Sequence, residues 1–198
     1  MEPSTKVWPL PIAFSQISSG FGPRTVTANG VTKSQKSHGA IDIPAPVGTP
    51  VMSVLPGKVG TVVYDHKEAG HYVEVEHPSN GTWTRYLHLS DIKVKVGDEL
   101  PAGGTVGLSG GAPGARGAGF SSGPHLHFEV WKGRPYRGGT KTDPEPFLID
   151  LALAKAKELA SKNKGLIIAA AGGGLLLFTL MSSRRTGARS NPLRLTKV

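Results

Sequence analysis

The stretch Pro124-His125-Leu126-His127-Phe128-Glu129-Val130 decides how this chain is read. Residues two apart in a strand project to the same face. Leu126, Phe128 and Val130 therefore make one apolar row, while His125, His127 and Glu129 share the opposite side. An apolar row needs a core beneath it, and paired imidazoles need a polar groove. The pattern predicts a sheet packed on one face and open for chemistry on the other.

Moving outward, short alternating or β-branched runs recur between Gly, Pro and Asn turns, the mark of an antiparallel sheet protein. Strands are expected at Thr49–Leu55, Lys58–Asp65, Tyr72–His77, Thr82–His88, Thr105–Ser109 and His125–Trp131. The 27 Gly and 16 Pro, with 7% aromatic residues, agree with a turn-rich, mainly β fold. Between Gly103 and Pro124 glycine is dense enough to form either a flexible surface loop or the wall of a groove. No phosphate-binding loop or dinucleotide fingerprint is present.

Cysteine is absent, which excludes disulfides and thiolate metal sites and leaves His, Asp and Glu as the strong ligands for a transition metal. The 198 residues suit one ordinary domain with an appendage. A net charge of +9 favours polyanionic partners. Specific nucleic-acid recognition is not expected, because no basic helix with base-reading residues and no interleaved Arg and aromatic pattern occurs.

A second ligand-type pattern is Ser37-His38-Gly39-Ala40-Ile41-Asp42. If this chain is extended, the four-residue offset returns His38 and Asp42 to one side. With His127 they form a set of two imidazoles and one carboxylate, which leaves a fourth tetrahedral position for water as a catalytic zinc site requires. His66, His71 and His77 read as surface or turn histidines, and Asp98 and Glu99 as turn residues before Pro101. Glu129 reads equally as a partner to a ligand histidine or as a solvated carboxylate.

The ordered series Gly20-Phe21-Gly22-x-Arg24, Ser37 to Ile43, Gly57-Lys58-Val59, Tyr86-Leu87-His88-Leu89-Ser90, Val96-Gly97-Asp98 and Gly123 to Val130 resembles the lysostaphin-type (LytM-like) zinc murein endopeptidases. The resemblance runs from about Gly20 to Trp131. It implies an antiparallel sheet with a groove across it, Zn2+ held by His38, Asp42 and His127, and catalytic roles for His125 and His88. His125 is then the expected base and His88 the oxyanion partner, acting on a peptide bond of bacterial peptidoglycan.

The chain is expected to divide into an N-terminal segment (1–16), the peptidase domain (17–146), a helical linker (147–164), a transmembrane helix (165–181) and a basic tail (182–198). Gly165 to Met181 carries no charge and reaches the lower end of the roughly 17–25 residues that span a bilayer. Gly172 to Gly174 would permit self-association in the membrane. Pro9 and Pro11 interrupt the only early apolar stretch, so a secretory signal is not expected. These features suggest a single C-terminal anchor, either in the internal membrane of a bacteriophage virion, as a lysin, or in the bacterial cell membrane. The competing reading is a non-catalytic wall-binding or structural virion membrane protein of the same fold.

Overall fold

The computed structural model describes residues 7–11, 17–28, 31–148, 166–171 and 174–179. Two compact units divide the chain, Met1–Leu148 and Ile149–Val198.

In the first unit, β1 (Gly22–Ala28) and β2 (Val31–His38) form an antiparallel hairpin. The remaining strands build one nine-stranded sheet: β3 (Ile41–Pro44), β4 (Pro50–Met52), β5 (Gly57–His66), β6 (Gly70–His77), β7 (Thr82–Ile92), β8 (Glu99–Leu100), β9 (Thr105–Ser109), β10 (His125–Lys132) and β11 (Thr140–Thr142). The main path runs β11-β10-β7-β6-β5-β8, with β3 on β10 and β9 joining β7 to β4. All six strands expected from the sequence are present, with ends shifted by up to a few residues. The β1–β2 hairpin and the shorter β3, β8 and β11 were not foreseen.

The alternation in β10 holds. Leu126, Phe128 and Val130 are fully buried, beside Tyr86 of β7 and Val73 and Val75 of β6. Burying a side chain of this size stabilises the fold by about 1.5–3 kcal/mol. The Tyr86 hydroxyl accepts the Val54 amide at 3.0 Å, and Thr84 Oγ1 links it to His77 at 3.1 and 2.8 Å. His77 is 0% exposed and also bonds the Pro56 carbonyl through Nδ1. His77 and His71 are thus buried, contrary to the surface reading: the Pro56 carbonyl and Thr84 hydroxyl satisfy both His77 nitrogens, and His71 Nδ1 accepts the Asp65 amide. Leu10 joins the same core, and the Val7 and Met52 amides tie the N-terminal stretch to the sheet.

The glycine-rich stretch is a wall. It lies against the β5–β6 turn, with the His71 amide bonding Gly117 O at 2.9 Å and the Phe120 amide bonding Glu68 O at 2.8 Å. Gly117 has φ +78°, and a Cβ there would collide with the Leu89 carbonyl and the His71 ring. Glycine is needed at this contact for both backbone angle and space.

At the end of the first unit residues 144–148 are helical, and Leu148 packs into the core. The rest of the expected linker helix, 149–164, and the basic tail lie outside the described residues. Among the described residues of 165–181 the expected transmembrane helix is not found. In the second unit β12 (Leu166–Ala171) pairs antiparallel with β13 (Gly174–Thr179), from Leu166↔Thr179 to Ala171↔Gly174. A run of apolar residues does not by itself distinguish helix from strand. Here Ile167 and Ile168 favour strand, and each glycine from 172 to 174 costs a helix about 1 kcal/mol relative to alanine. Among the described residues no helix is long and apolar enough to cross a membrane.

Candidate metal centre and active site

Strand pairing assembles the site. In the β3–β10 register His127 lies directly opposite Asp42, and His125 opposite Pro44. His38 ends β2, and a break at Gly39 and Ala40 separates it from β3. The single extended run envisaged from the sequence would hold the two residues about 13 Å apart at 3.2–3.4 Å per residue. The bend instead brings His38 Nε2 to 3.3 Å from Asp42 Oδ1.

Asp42 Oδ1 is the hub. His127 Nδ1 lies 2.9 Å from it and His125 Nε2 3.5 Å, while His38 Nε2 and His127 Nδ1 are 3.4 Å apart. Asp42 Oδ2 accepts a bond from Arg24 Nη1 at 2.6 Å, and the same nitrogen bonds Ser19 Oγ at 2.8 Å. Burial would raise the Asp42 pKa, but the close polar contacts with His127 and His38 outweigh it and hold the carboxylate well below its ordinary value. Donors at 2.0–2.1 Å from a tetrahedral zinc lie roughly 3.3 Å from one another. The three separations of 3.3, 2.9 and 3.4 Å therefore fit such an ion closely.

The far side of each ring is also fixed. His38 Nδ1 lies 2.8 Å from the Gly20 carbonyl and His125 Nδ1 2.7 Å from the Gly123 carbonyl. A carbonyl only accepts, so each ring directs an Nδ1–H outward and turns Nε2 to the centre. Ser121 Oγ bonds the carbonyls of Gly111 and Gly123 at 2.8 and 2.9 Å, which steadies the segment facing His125.

His88 arrives by a different route. Between the pairs His71↔Leu89 and Val73↔Tyr86, the two residues Leu87 and His88 oppose the single residue Tyr72. This is a β-bulge. His88 takes φ +59°, and its ring comes within 5.0 Å of His125 and 5.5 Å of His127. Burial first, then the neighbouring His127 and His125, lower its pKa to about 4, so the ring is neutral at pH 7. Among the described residues its Nδ1 has no hydrogen-bond partner, although it is buried.

Of the five sequence-expected site residues, Asp42, His88, His125 and His127 line one groove of about 840 Å³ on the polar face of the sheet, and buried His38 joins them through Asp42 and His127. Phe120, 86% exposed, lines the groove together with Lys67 and Tyr136. Arg24, Ser121, Arg85, Tyr136 and Lys141 were given no role from the sequence, since each acts through partners distant in the chain. The Gly20-Phe21-Gly22-x-Arg24 run was the one available hint for Arg24.

The profile of peptidase family M23 matches residues 36–144, a span that holds all five of these residues. The chain belongs to peptidase family M23. Among curated relatives, it is 42% identical over 121 residues to peptidoglycan DD-endopeptidase ShyA of Vibrio cholerae serotype O1, covering 61% of this chain and 26% of that protein. It is 31% identical over 146 residues to glycyl-glycine endopeptidase ALE-1 of Staphylococcus capitis, covering 74% and 37%. The catalytic domain of lysostaphin from Staphylococcus simulans superposes with a TM-score of 0.56 at 31% identity, covering 67% of this chain and 90% of that domain. The match to ShyA thus spans about a quarter of the relative's length. The M23 assignment and the lysostaphin-like β fold agree with the resemblance read from the motifs.

Proposed function

We propose that this M23 protein is a zinc-dependent endopeptidase that hydrolyses peptide bonds of bacterial peptidoglycan, with His38, Asp42 and His127 as metal ligands. The observation that carries the reading is the near-tetrahedral spacing of His38 Nε2, Asp42 Oδ1 and His127 Nδ1, with His125 Nε2 beside them. Bound zinc supplies Lewis-acid polarisation of the scissile carbonyl and lowers the pKa of water. His125, held by the Gly123 carbonyl, accepts a proton from the attacking water at Nε2 and returns it to the leaving amine. His88, neutral and still carrying one N–H, donates to the carbonyl oxygen as negative charge develops there. Ser121 and Gly123 keep the His125 ring in the productive orientation.

Zymography against purified sacculi tests this reading. Wild type clears the wall and His125→Ala does not, and mass spectrometry of released muropeptides identifies the bond. Equal clearing by both, or binding without clearing by both, favours the non-catalytic wall-binding alternative.

The uncharged run 165–181 is proposed as a lipid-binding element that retains the enzyme at a membrane, in a phage virion or in the host cell. Flotation of the full chain with phospholipid vesicles tests it, and a chain that stays at the bottom of the gradient refutes it.

A further inference from the structure

Of the three imidazoles that face Asp42, His127 alone turns its outer nitrogen toward a carboxylate. His38 and His125 end on backbone carbonyls, whereas His127 Nε2 lies 3.4 Å from Glu129 Oε1. Glu129 is 2% exposed, which removes the solvated reading of this residue. Its Oε2 accepts Arg85 Nη1 and Trp131 Nε1, both at 2.7 Å, and its Oε1 accepts Lys141 Nζ at 2.7 Å. The carboxylate is therefore held by three donors, with Oε1 in polar contact with His127 Nε2 at 3.4 Å.

We propose that Glu129 is a positioning residue that keeps the proton of His127 on Nε2, leaving the Nδ1 lone pair for the metal. The inference rests on the zinc reading above. His127 stands between two carboxylates, with Asp42 at Nδ1 and Glu129 at Nε2. Only the second leaves the metal-facing nitrogen bare. Carboxylate partners of this kind orient ligand histidines and raise their basicity, and losing one typically costs 10–100-fold in metal affinity.

Glu129→Gln is an informative variant because its neighbours dictate how the amide must lie. Arg85 and Trp131 donate on one side and Lys141 on the other, so the two donors select the amide oxygen on theirs and the exposed end of Lys141 gives way. The amide nitrogen then faces His127, and two donors cannot meet there. His127 is driven to accept at Nε2 and to carry its proton on Nδ1, where it opposes the metal.

Two readouts on the full chain test the proposal: the Zn2+ dissociation constant, by competition with a chromophoric chelator, and the His127 tautomer without metal, by nitrogen NMR at high pH. Glu129→Gln is expected to weaken zinc binding by about 10–100-fold and to shift His127 toward the Nδ1–H form. Glu129→Asp keeps the charge but withdraws it by one methylene, giving an intermediate loss, and it serves if the Gln variant does not fold. Trp131→Phe removes a donor from Oε2 only, and is expected to stay within about threefold of wild type. Unchanged affinity and tautomer in Glu129→Gln overturn the proposal, as does an equal loss in Trp131→Phe. Wild type that fails to bind zinc refutes the metal reading instead, and the tautomer comparison then still decides whether Glu129 governs His127.

Discussion

Replacing Arg85 by Met isolates the buried charge cluster beneath the groove. Arg85 is almost wholly buried, with Nη1 2.7 Å from Glu129 Oε2 and Nε 2.9 Å from Glu74 Oε1. Only the first contact is aligned as a hydrogen bond. The guanidinium also lies between the rings of Tyr72 and Tyr136, at 4.6 and 5.1 Å. Methionine matches much of the volume but strands two carboxylates in a dry setting. Removing one partner of a buried ion pair costs about 3–5 kcal/mol. Lys141 and Trp131 still hold Glu129, so the lower end, about 3 kcal/mol, is expected near pH 7. The assay is urea unfolding of the full chain at several pH values. Burial opposes ionisation of Glu129, but the bond from His127 and the charges of Arg85 and Lys141 prevail and lower its pKa. In wild type that group contributes stability above its unfolded pKa of about 4.3, and the contribution is lost as pH falls through the folded value. Without Arg85 the folded pKa rises, so the variant loses less in acid and the gap narrows there. A loss below about 1 kcal/mol, the usual worth of a surface pair, would refute the reasoning, as would a gap that widens on acidification.

Three other outcomes follow from the same geometry. Burial lowers the His77 pKa against a small opposing effect of the Pro56 carbonyl, so its neutral form contributes stability above the unfolded value of about 6.5, and this is lost as pH drops below it; thermal melts should show His77→Gln less sensitive than wild type between pH 7.5 and 5, and equal sensitivity would contradict this. Gly117→Ala should cost roughly 2–5 kcal/mol in urea, from left-handed backbone and overpacking together. Gly114→Ala, left-handed but in open space, should cost only about 1–2 kcal/mol, and equal losses would rule out the loop contact. Zinc at 100 times its dissociation constant should add about 2.7 kcal/mol to wild-type stability. A chelator should remove that gain along with cleavage, and an equal zinc-induced gain in Asp42→Ala would exclude Asp42 as a ligand.

Alternation in β10 was legible because its apolar residues share one parity and its histidines the other, and packing obeyed that rule. His38 and Asp42 were paired correctly for the wrong geometric reason, since a bend rather than an extended run joins them. His88 shows where periodicity fails. Counting by twos from the buried Tyr86 would send it into the core, and only the extra residue of the bulge turns it to the groove. Motif resemblance found it, whereas strand parity would not. The Glu129 cluster was half visible, because Arg85 sits 44 residues away and the packing that joins them is tertiary. At the C-terminal end hydropathy registered an uncharged run, but not that Leu166–Ala171 would pair with Gly174–Thr179.

The pairing of β3 with β10 gives two independent checks on a single alignment. A slip by one position would turn Ile41 and Ile43 out of the apolar interior and, in the same movement, swing Asp42 away from His127. Oil and ion thus select the same partnering of strands. A chain that closes its interior correctly has, without further adjustment, already set the carboxylate opposite its imidazole.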